Sequence, residues 1–312
     1  MATHLPFQKS GRLPECVTEG SVLTTPLGPV TVGCWARANR WPLLVTGLLV
    51  VVLYAVNFAK LVADWWNDEN YSHGFIVPLV FFWMLWRRRD ELANSQLQPR
   101  PWALVIVILA LLQLAAGTWG AENFVAHSSL LLLLCGITLY LFGNEVLRLV
   151  AFPIASLILM IPLPAIILYS ITFPLQLLSS KFALKILDVV GVPAVCEGNV
   201  LYLANFTAGV AEACSGIVSL IALLTFVVLI GHLLKMSVRA RCILAIVAVG
   251  VALAMNAIRI AGTGLIGNYF DARWAEGFFH IFSGWLLFVG SLVIMIGVVC
   301  GLRVFEKREI GS

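Results

Sequence analysis

Residues 278–302 read FFHIFSGWLLFVGSLVIMIGVVCGL, and this stretch decides the fold class. It contains no Asp, Glu, Lys or Arg. It is long enough to cross a hydrocarbon core of about 30 Å, which takes ~20 helical residues. Residues 102–117 are also apolar and uncharged, and residues 41–62 are apolar with Lys60 as their one charged residue. Such lengths exclude transmembrane β-strands, which are short and alternate in polarity. The sequence therefore predicts a protein that crosses the membrane as α-helices.

The composition agrees with a membrane protein. Apolar residues make up 61% of the chain and charged residues only 12%, whereas a soluble domain carries about 25% charged residues. Most of the surface must therefore face lipid. The net charge of +4 indicates topology bias rather than binding to nucleic acid. The seven cysteines are scattered without a C-x-x-C pair, so we expect no metal site and no cofactor.

We predict an all-α fold, a polytopic transmembrane bundle of about eight spans plus one interfacial helix. The predicted spans are residues 42–63, 72–86, 102–119, 127–143, 147–162, 214–234, 240–260 and 279–302. Residues 1–41 are predicted to be a disordered cytoplasmic tail, 42–304 the transmembrane domain and 305–312 a short cytoplasmic tail.

Basic residues define the expected orientation. Fifteen of the twenty Lys and Arg residues lie in the two tails and in the loops on one side of the predicted bundle. The positive-inside rule therefore predicts a multi-pass membrane protein with both termini in the cytoplasm. Another full crossing within 164–190 would invert everything downstream, so we interpret that segment as an interfacial or re-entrant helix. Residues 192–212 indicate a hairpin or loop over the outer face.

Three chemically active residues are expected at one depth. Cys214 begins the sixth span, Arg259 ends the seventh, and His280 begins the eighth. A cysteine thiolate at a helix N-terminus or beside a cation is a nucleophile. Histidine can transfer a proton near neutral pH, and arginine can hold an oxyanion. Together these residues predict a cysteine acyl-transfer site at the outer edge of the membrane.

Other interpretations stay open at this stage. Taken singly, each residue has a simpler role: Cys214 as a small core hydrophobe, His280 as an interfacial polar residue, Arg259 as a cation reaching toward headgroups. A polytopic transporter is the main alternative function, although transporters commonly carry polar groups at the midplane. A structural membrane protein would not need the three residues at one depth. The chain has no H-E-x-x-H motif, which disfavours a metalloprotease.

The sequence motifs around these residues resemble those of the exosortase/archaeosortase family. They are EACSGI at 212–217, N-x-x-R-I at 256–260, H-x-x-x-G-W at 280–285, and YSHGFIVP at 71–78. The resemblance spans roughly residues 45–302 in the same order. It implies a membrane cysteine transpeptidase of PEP-CTERM-like sorting systems, with Cys214, Arg259 and His280 as its catalytic residues.

The resemblance also implies a substrate. Family members cleave a C-terminal sorting tail, composed of a short motif, an apolar helix and a basic cluster, on exported proteins, and transfer the new terminus to a surface acceptor. His73, Tyr71, Glu212 and Asn256 are candidates for binding substrate or supporting the catalytic residues. Many members carry Arg where this chain has Val218, so the subfamily and the recognised motif stay open. The expected partners are tailed exported proteins and membrane lipid, and the oligomeric state is not predicted.

Overall fold

The computed structural model describes residues 30–209, 216–270 and 278–311. The described residues form twelve α-helices, with three short β-strands. The helices are α1 Val32–Ala38, α2 Arg40–Leu53, α3 Ala55–Asn67, α4 Ile76–Arg87, α5 Arg89–Asn94, α6 Leu104–Trp119, α7 Asn123–Leu141, α8 Asn144–Ser156, α9 Ala165–Val189, α10 Ile217–Leu233, α11 Val238–Tyr269 and α12 Phe278–Gly311. The strands are β1 Ala194–Glu197, β2 Val200–Leu203 and β3 Thr207–Gly209.

The predicted class, an all-α polytopic membrane protein, is confirmed. Five described helical segments are long and apolar enough to cross a membrane, or six if the bent pair α1 and α2 counts as one span. The five are Pro101–Trp119, Asn123–Leu141, Ala165–Val189, Val238–Tyr269 and Phe282–Glu306. Four predicted crossings correspond to shorter helices: residues 42–63 form α2 and α3, with 14 and 13 residues, α4 has 12 residues, α8 has 13 and α10 has 17. The number of eight spans therefore stays a prediction.

The first two predicted spans are divided in the structure. Residues 42–63 form α2 and α3, which meet at Tyr54. The Tyr54 side chain is buried, and its hydroxyl lies 2.7 Å from the hydroxyl of Ser129 in α7. This hydrogen bond fixes the break against a neighbouring helix. In the second span, residues 72–75 belong to a 3-10 helix, Glu69–Phe75, and α4 begins only at Ile76.

Helical structure also extends into both predicted tails. Helix α1 lies within residues 1–41, and α12 continues through most of residues 305–312. Residues 1–29 are outside the described part of the chain, so the disordered tail stays a prediction for them.

Helix α9 is continuous over 25 residues and lacks the break that is typical of a re-entrant segment. Its first turn lines a cavity with Asp68 and Glu122, residues that the charge pattern assigns to the outer side. Its last turns pack against β1 and against Ile260 of α11. Both ends of α9 thus contact the side predicted to face outward, which favours an interfacial helix over a complete crossing.

The predicted hairpin forms a three-stranded antiparallel sheet in the order β1-β2-β3. Leu201 of β2 packs on Leu187 of α9 and Ala261 of α11. The turn between β2 and β3 is tied to α11, because the Asn205 backbone N–H donates to the Asn268 Oδ1 at 3.0 Å. The sheet therefore covers the end of α11.

Helix α11 is longer than predicted. The sequence suggested that the span ends at residue 260, with Arg259 at its end, but the helix continues to Tyr269. Arg259 therefore lies inside a continuous helix. The helix continues beyond residue 260 because its extra turns pack under the sheet. A transmembrane span alone would not need these turns.

Candidate active site

The structure describes some of the predicted site residues in full, one by its backbone alone, and others not at all. Cys214 and Glu212 lie outside the described residues, and for His280 only the backbone, within the first turn of α12, is described. Arg259, Asn256, Tyr71 and His73 lie in described segments. The site can therefore be traced through the residues that flank Cys214 and His280.

The turn that precedes α10 lies against α11. Gly216 caps the N-terminus of α10 with a left-handed φ of 78°, a conformation that glycine adopts without steric cost. A Cβ at this position would lie 3.0 Å from both Cβ and Cγ of Asn256. Asn256 itself is only 5% exposed. Both the backbone angle and the close neighbour therefore require glycine here.

The first turns of α12 lie against the same helix. A Cβ at Gly284 would lie 3.3 Å from the Cζ atom of Arg259, so the guanidinium rests on the α12 backbone. The neighbouring Ser283 is buried. The glycine of the H-x-x-x-G-W motif thus provides the space that the arginine occupies.

One face of α11 joins both contacts. Asn256 and Arg259 are three residues apart, and residues at this spacing lie side by side on a helix. Asn256 meets the start of α10, while Arg259 meets α12. The segments that flank Cys214, Arg259 and His280 in sequence are therefore brought together by α11. The positions of the Cys214 thiol and the His280 imidazole stay predictions.

The 3-10 helix Glu69–Phe75 is fixed to the end of a second 3-10 helix, Leu157–Met160, and to the loop that follows it. The Tyr71 hydroxyl accepts a hydrogen bond from the Leu163 N–H at 3.1 Å, and His73 Nε2 donates to the Leu159 carbonyl at 3.1 Å. Trp65 Nε1 donates to the Met160 carbonyl at 2.8 Å. Backbone carbonyls at the end of a helix and N–H groups in a loop need such partners when water is excluded. Tyr71 and His73 therefore have a structural role, and their contact with substrate stays a prediction.

His73 is set to be neutral. Burial lowers the pKa of its imidazole below the usual value, although the hydrogen bond to Leu159 acts in the opposite direction. A carbonyl can only accept, so Nε2 carries the hydrogen in this tautomer. Because burial lowers the folded-state pKa of His73, the buried neutral imidazole is fully compatible with folding above the ordinary histidine pKa, and stability is lost as the pH falls through that range.

The anchored 3-10 helix lies near the beginning of α10. It packs against α10 and leads into α4. At the other end of α4, an Arg88 Nη atom lies 3.4 Å from the His232 Nε2, in the last turn of α10. Helices α4 and α10 therefore run in the same direction. The YSHG segment consequently lies toward the end of α10 that follows Cys214.

A comparison with protein families agrees with this geometry. The model of the transmembrane exosortase family matches residues 65–297, most of the chain. The chain belongs to this family. No curated protein and no solved structure matches the sequence. The matched region covers the 3-10 helix, the sheet and helices α10 to α12, apart from the last turns of α12.

Family membership supports a coarse function for this exosortase, that of a membrane-embedded sorting protease or transpeptidase. It favours this class over the transporter alternative.

Sequence reasoning did not identify Gly216 and Gly284 as part of the site. Both belong to the motifs that suggested the family, but their structural role depends on which atoms lie next to them. The available signal was the position of each glycine. Gly216 lies two residues after the candidate nucleophile, and Gly284 lies one helical turn after the candidate acid. The hydrogen bonds between the Trp65, Tyr71 and His73 side chains and the 159–163 backbone could not be predicted from the sequence.

Proposed function

We propose that this exosortase is a membrane cysteine transpeptidase that cleaves C-terminal sorting tails of exported proteins at the outer, periplasmic face of the membrane. The observation that carries the proposal is the packing of Gly216 on Asn256 and of Gly284 on Arg259. Together these contacts draw the flanks of all three candidate catalytic residues to one face of α11.

Chain connectivity supports a place for Cys214 in this site. Two extended residues span at most about 7 Å, so the Cα of Cys214 lies within that distance of the Cα of Gly216. Gly216 caps the N-terminus of α10, and the N-terminus of a helix lowers the pKa of a nearby thiol. Arg259 adds a positive charge close to the same turn. Cys214 is thus the proposed nucleophile.

The α-helical repeat supports a place for His280. Positions 280 and 284 are one turn apart in α12, so they share a helix face. Gly284 on that face contacts Arg259. His280 is therefore the proposed proton donor, and Arg259 the proposed oxyanion ligand, since its planar fork of N–H groups suits an anionic oxygen.

The proposed reaction proceeds in two steps. The Cys214 thiolate attacks the carbonyl carbon of a peptide bond in the sorting tail, and Arg259 stabilises the tetrahedral oxyanion. The C–N bond then breaks, His280 gives a proton to the departing amine, and a thioester remains on Cys214. An acceptor nucleophile or water attacks the thioester, releases the carbonyl product and restores the thiolate.

The remaining predicted residues support this site. Asn256 holds the Gly216 turn that follows the nucleophile. Tyr71 and His73 fix the neighbouring 3-10 helix to the Leu159–Leu163 backbone. Glu212 precedes Cys214 by two residues, and we propose that it belongs to the surroundings of the thiol.

A groove between α9 and α11 supports a route for the substrate. Its volume is about 580 Å³, and its walls are apolar apart from Lys185. The α11 wall consists of Gly250, Leu253, Ala254, Ala257 and Ile258. Small residues let another helix approach closely within lipid. Ala257 and Ile258 of the groove precede Arg259 in the chain, and we propose that an apolar helix lying in the groove presents the preceding motif to the site.

The test is co-expression of the full-length protein with an exported protein that carries a motif, an apolar helix and a basic cluster. Cys214→Ala is expected to leave this substrate uncleaved at unchanged enzyme abundance. Arg259→Lys should slow cleavage by ~10²–10³-fold, the usual cost of losing an oxyanion donor. Cleavage is read from the size of the substrate.

Two cysteines provide matched controls. Cys242 and Cys300 lie in α11 and α12 and are exposed. Cys242→Ala and Cys300→Ala should process the substrate normally. Normal processing by Cys214→Ala would end the cysteine mechanism.

A further inference from the structure

At the end of the bundle away from the candidate active site, a cavity of about 400 Å³ lies between α4, α5, α10 and α11. Four cationic side chains line it, those of Arg87, Arg88, Lys235 and Arg241. Among the described lining residues, Glu91 is the one carboxylate that opposes them. Like charges that converge on one cavity repel each other, so this arrangement favours an anion between them.

Two of the arginines are held in place by the backbone. A terminal nitrogen of Arg88 donates to the Leu149 carbonyl of α8. The Arg241 Nε donates to the Met236 carbonyl at 2.9 Å. Each contact uses one N–H group of a guanidinium that has five. The side chains are therefore oriented before any ligand arrives, unlike surface cations that move freely.

Positive-inside bias alone does not explain this geometry. Arg241 lies in the first turn of α11, where the helix dipole disfavours a cation. Lys235 has a left-handed φ of 52°, at a position after a helix where glycine is usual. A basic loop would satisfy the topology rule without either feature. Both side chains instead line the same cavity.

The surroundings fit the headgroup level of a membrane. Met84 and Leu233 form an apolar part of the cavity wall. Trp83 and Trp86, in the last turns of α4, expose 44% and 67% of their surfaces, as aromatic residues do at a membrane interface. The charge pattern of the sequence assigns this end of the bundle to the cytoplasm.

We propose that this cavity binds the phosphodiester headgroup of an anionic glycerophospholipid from the inner leaflet. Basic pockets between transmembrane helices on the cytoplasmic side are suited to such headgroups. The arginines supply bidentate N–H donors to the phosphate oxygens, and the acyl chains extend along the apolar surface below Met84. The lipid joins α4, α10 and α11 at the end opposite to the candidate active site.

The test compares two double variants of the full-length protein in detergent. Arg87→Gln with Arg241→Gln removes two charges that line the cavity. Arg89→Gln with Arg239→Gln removes two charges from exposed neighbours outside the lining. Arg87 and Arg89 each lie over a tryptophan, so the pairs are closely matched. Binding is measured by native mass spectrometry and by thermal stabilisation, with phosphatidylglycerol, phosphatidylcholine or inorganic phosphate as the probe.

Phosphatidylglycerol should bind the unchanged protein and stabilise it, and the cavity variant should bind it roughly tenfold or more weakly, since each basic residue near a headgroup contributes several-fold. The control pair should change affinity by less than about threefold in moderate salt. Equal losses in both pairs, or equal binding of phosphatidylcholine, would overturn the proposal. Equal stabilisation by inorganic phosphate would overturn its lipid part. If the Arg241 variant does not fold, Lys235→Gln replaces it with the same expectations at smaller amplitude.

Discussion

At the scale of single residues, the candidate site depends on two glycines. Arg259 and Asn256 could be chosen from the sequence, because a charged and an amide residue inside an apolar helix are conspicuous. Their neighbours could not be chosen, since the sequence does not state which backbone passes within 3.3 Å of a guanidinium. The roles of Gly216 and Gly284 can be recognised only when the packing is known.

Gly284→Leu should therefore impair the enzyme without removing a catalytic group. The new side chain would push the Arg259 guanidinium away from its place on α12, and a displacement of about 1 Å can slow a reaction by ~10²-fold. Substrate processing in cells measures the effect. Gly290→Leu is the matched control, because no atom lies within 4 Å of a Cβ at that position. Equal processing by both variants would contradict the assigned contact.

At the scale of elements, the sequence predicted the existence of helices better than their ends. The apolar stretches placed α6, α7 and the start of α12 well. The end of α11 was misplaced because a span of ordinary length was assumed, whereas the helix gains a further packing surface under the small sheet. The break at Tyr54 was missed because it depends on a hydrogen bond to Ser129, which is distant in sequence.

The groove between α9 and α11 provides a prediction at this scale. Gly250→Leu should hinder docking of the substrate's apolar helix and reduce processing by roughly tenfold, because overpacking an interface costs about 1–3 kcal/mol. Gly250 is exposed, and no atom lies within 4 Å of a Cβ there, so the enzyme itself should fold normally. The rate of processing of a tailed substrate in membranes gives the measurement.

Gly297→Leu serves as the control for the groove. Gly297 is also exposed in an apolar helix and has the same open space, but it lies in α12 and does not line the groove. A similar loss in both variants would show that the effect is not specific to the groove. An unchanged rate for Gly250→Leu would remove the groove as the substrate's position.

At the scale of the whole molecule, composition and motifs were sufficient for the class and the family. A chain with 12% charged residues cannot cover a soluble surface, and the family match over residues 65–297 agrees with the ordered motifs. The number of crossings does not follow as directly. The crossing of short helices such as α4 and α10, and the interfacial position predicted for α9, depend on how the bundle sits in lipid.

Reporter fusions test the predicted orientation. Fusions after Arg89 and after Arg273 should give opposite signals, with Arg89 in the cytoplasm and Arg273 outside, because most basic residues lie on the Arg89 side. A reporter in the turn after Gly198 of the sheet should give the same signal as the fusion after Arg273. An opposite signal there would mean that α9 crosses the membrane and that the assignment of faces is wrong.

The central claim, that Cys214 and His280 face each other across Arg259, can be tested without knowing the substrate. In a full-length protein with the remaining cysteines replaced, Cys214 would be paired with His280→Cys and, as the control, with Gly297→Cys. A bifunctional thiol reagent shorter than one helix diameter, ~10 Å, is then applied in membranes. The account predicts an intramolecular crosslink between 214 and 280 and none between 214 and 297. Efficient alkylation of both thiols in the first pair, with no crosslink, would contradict it.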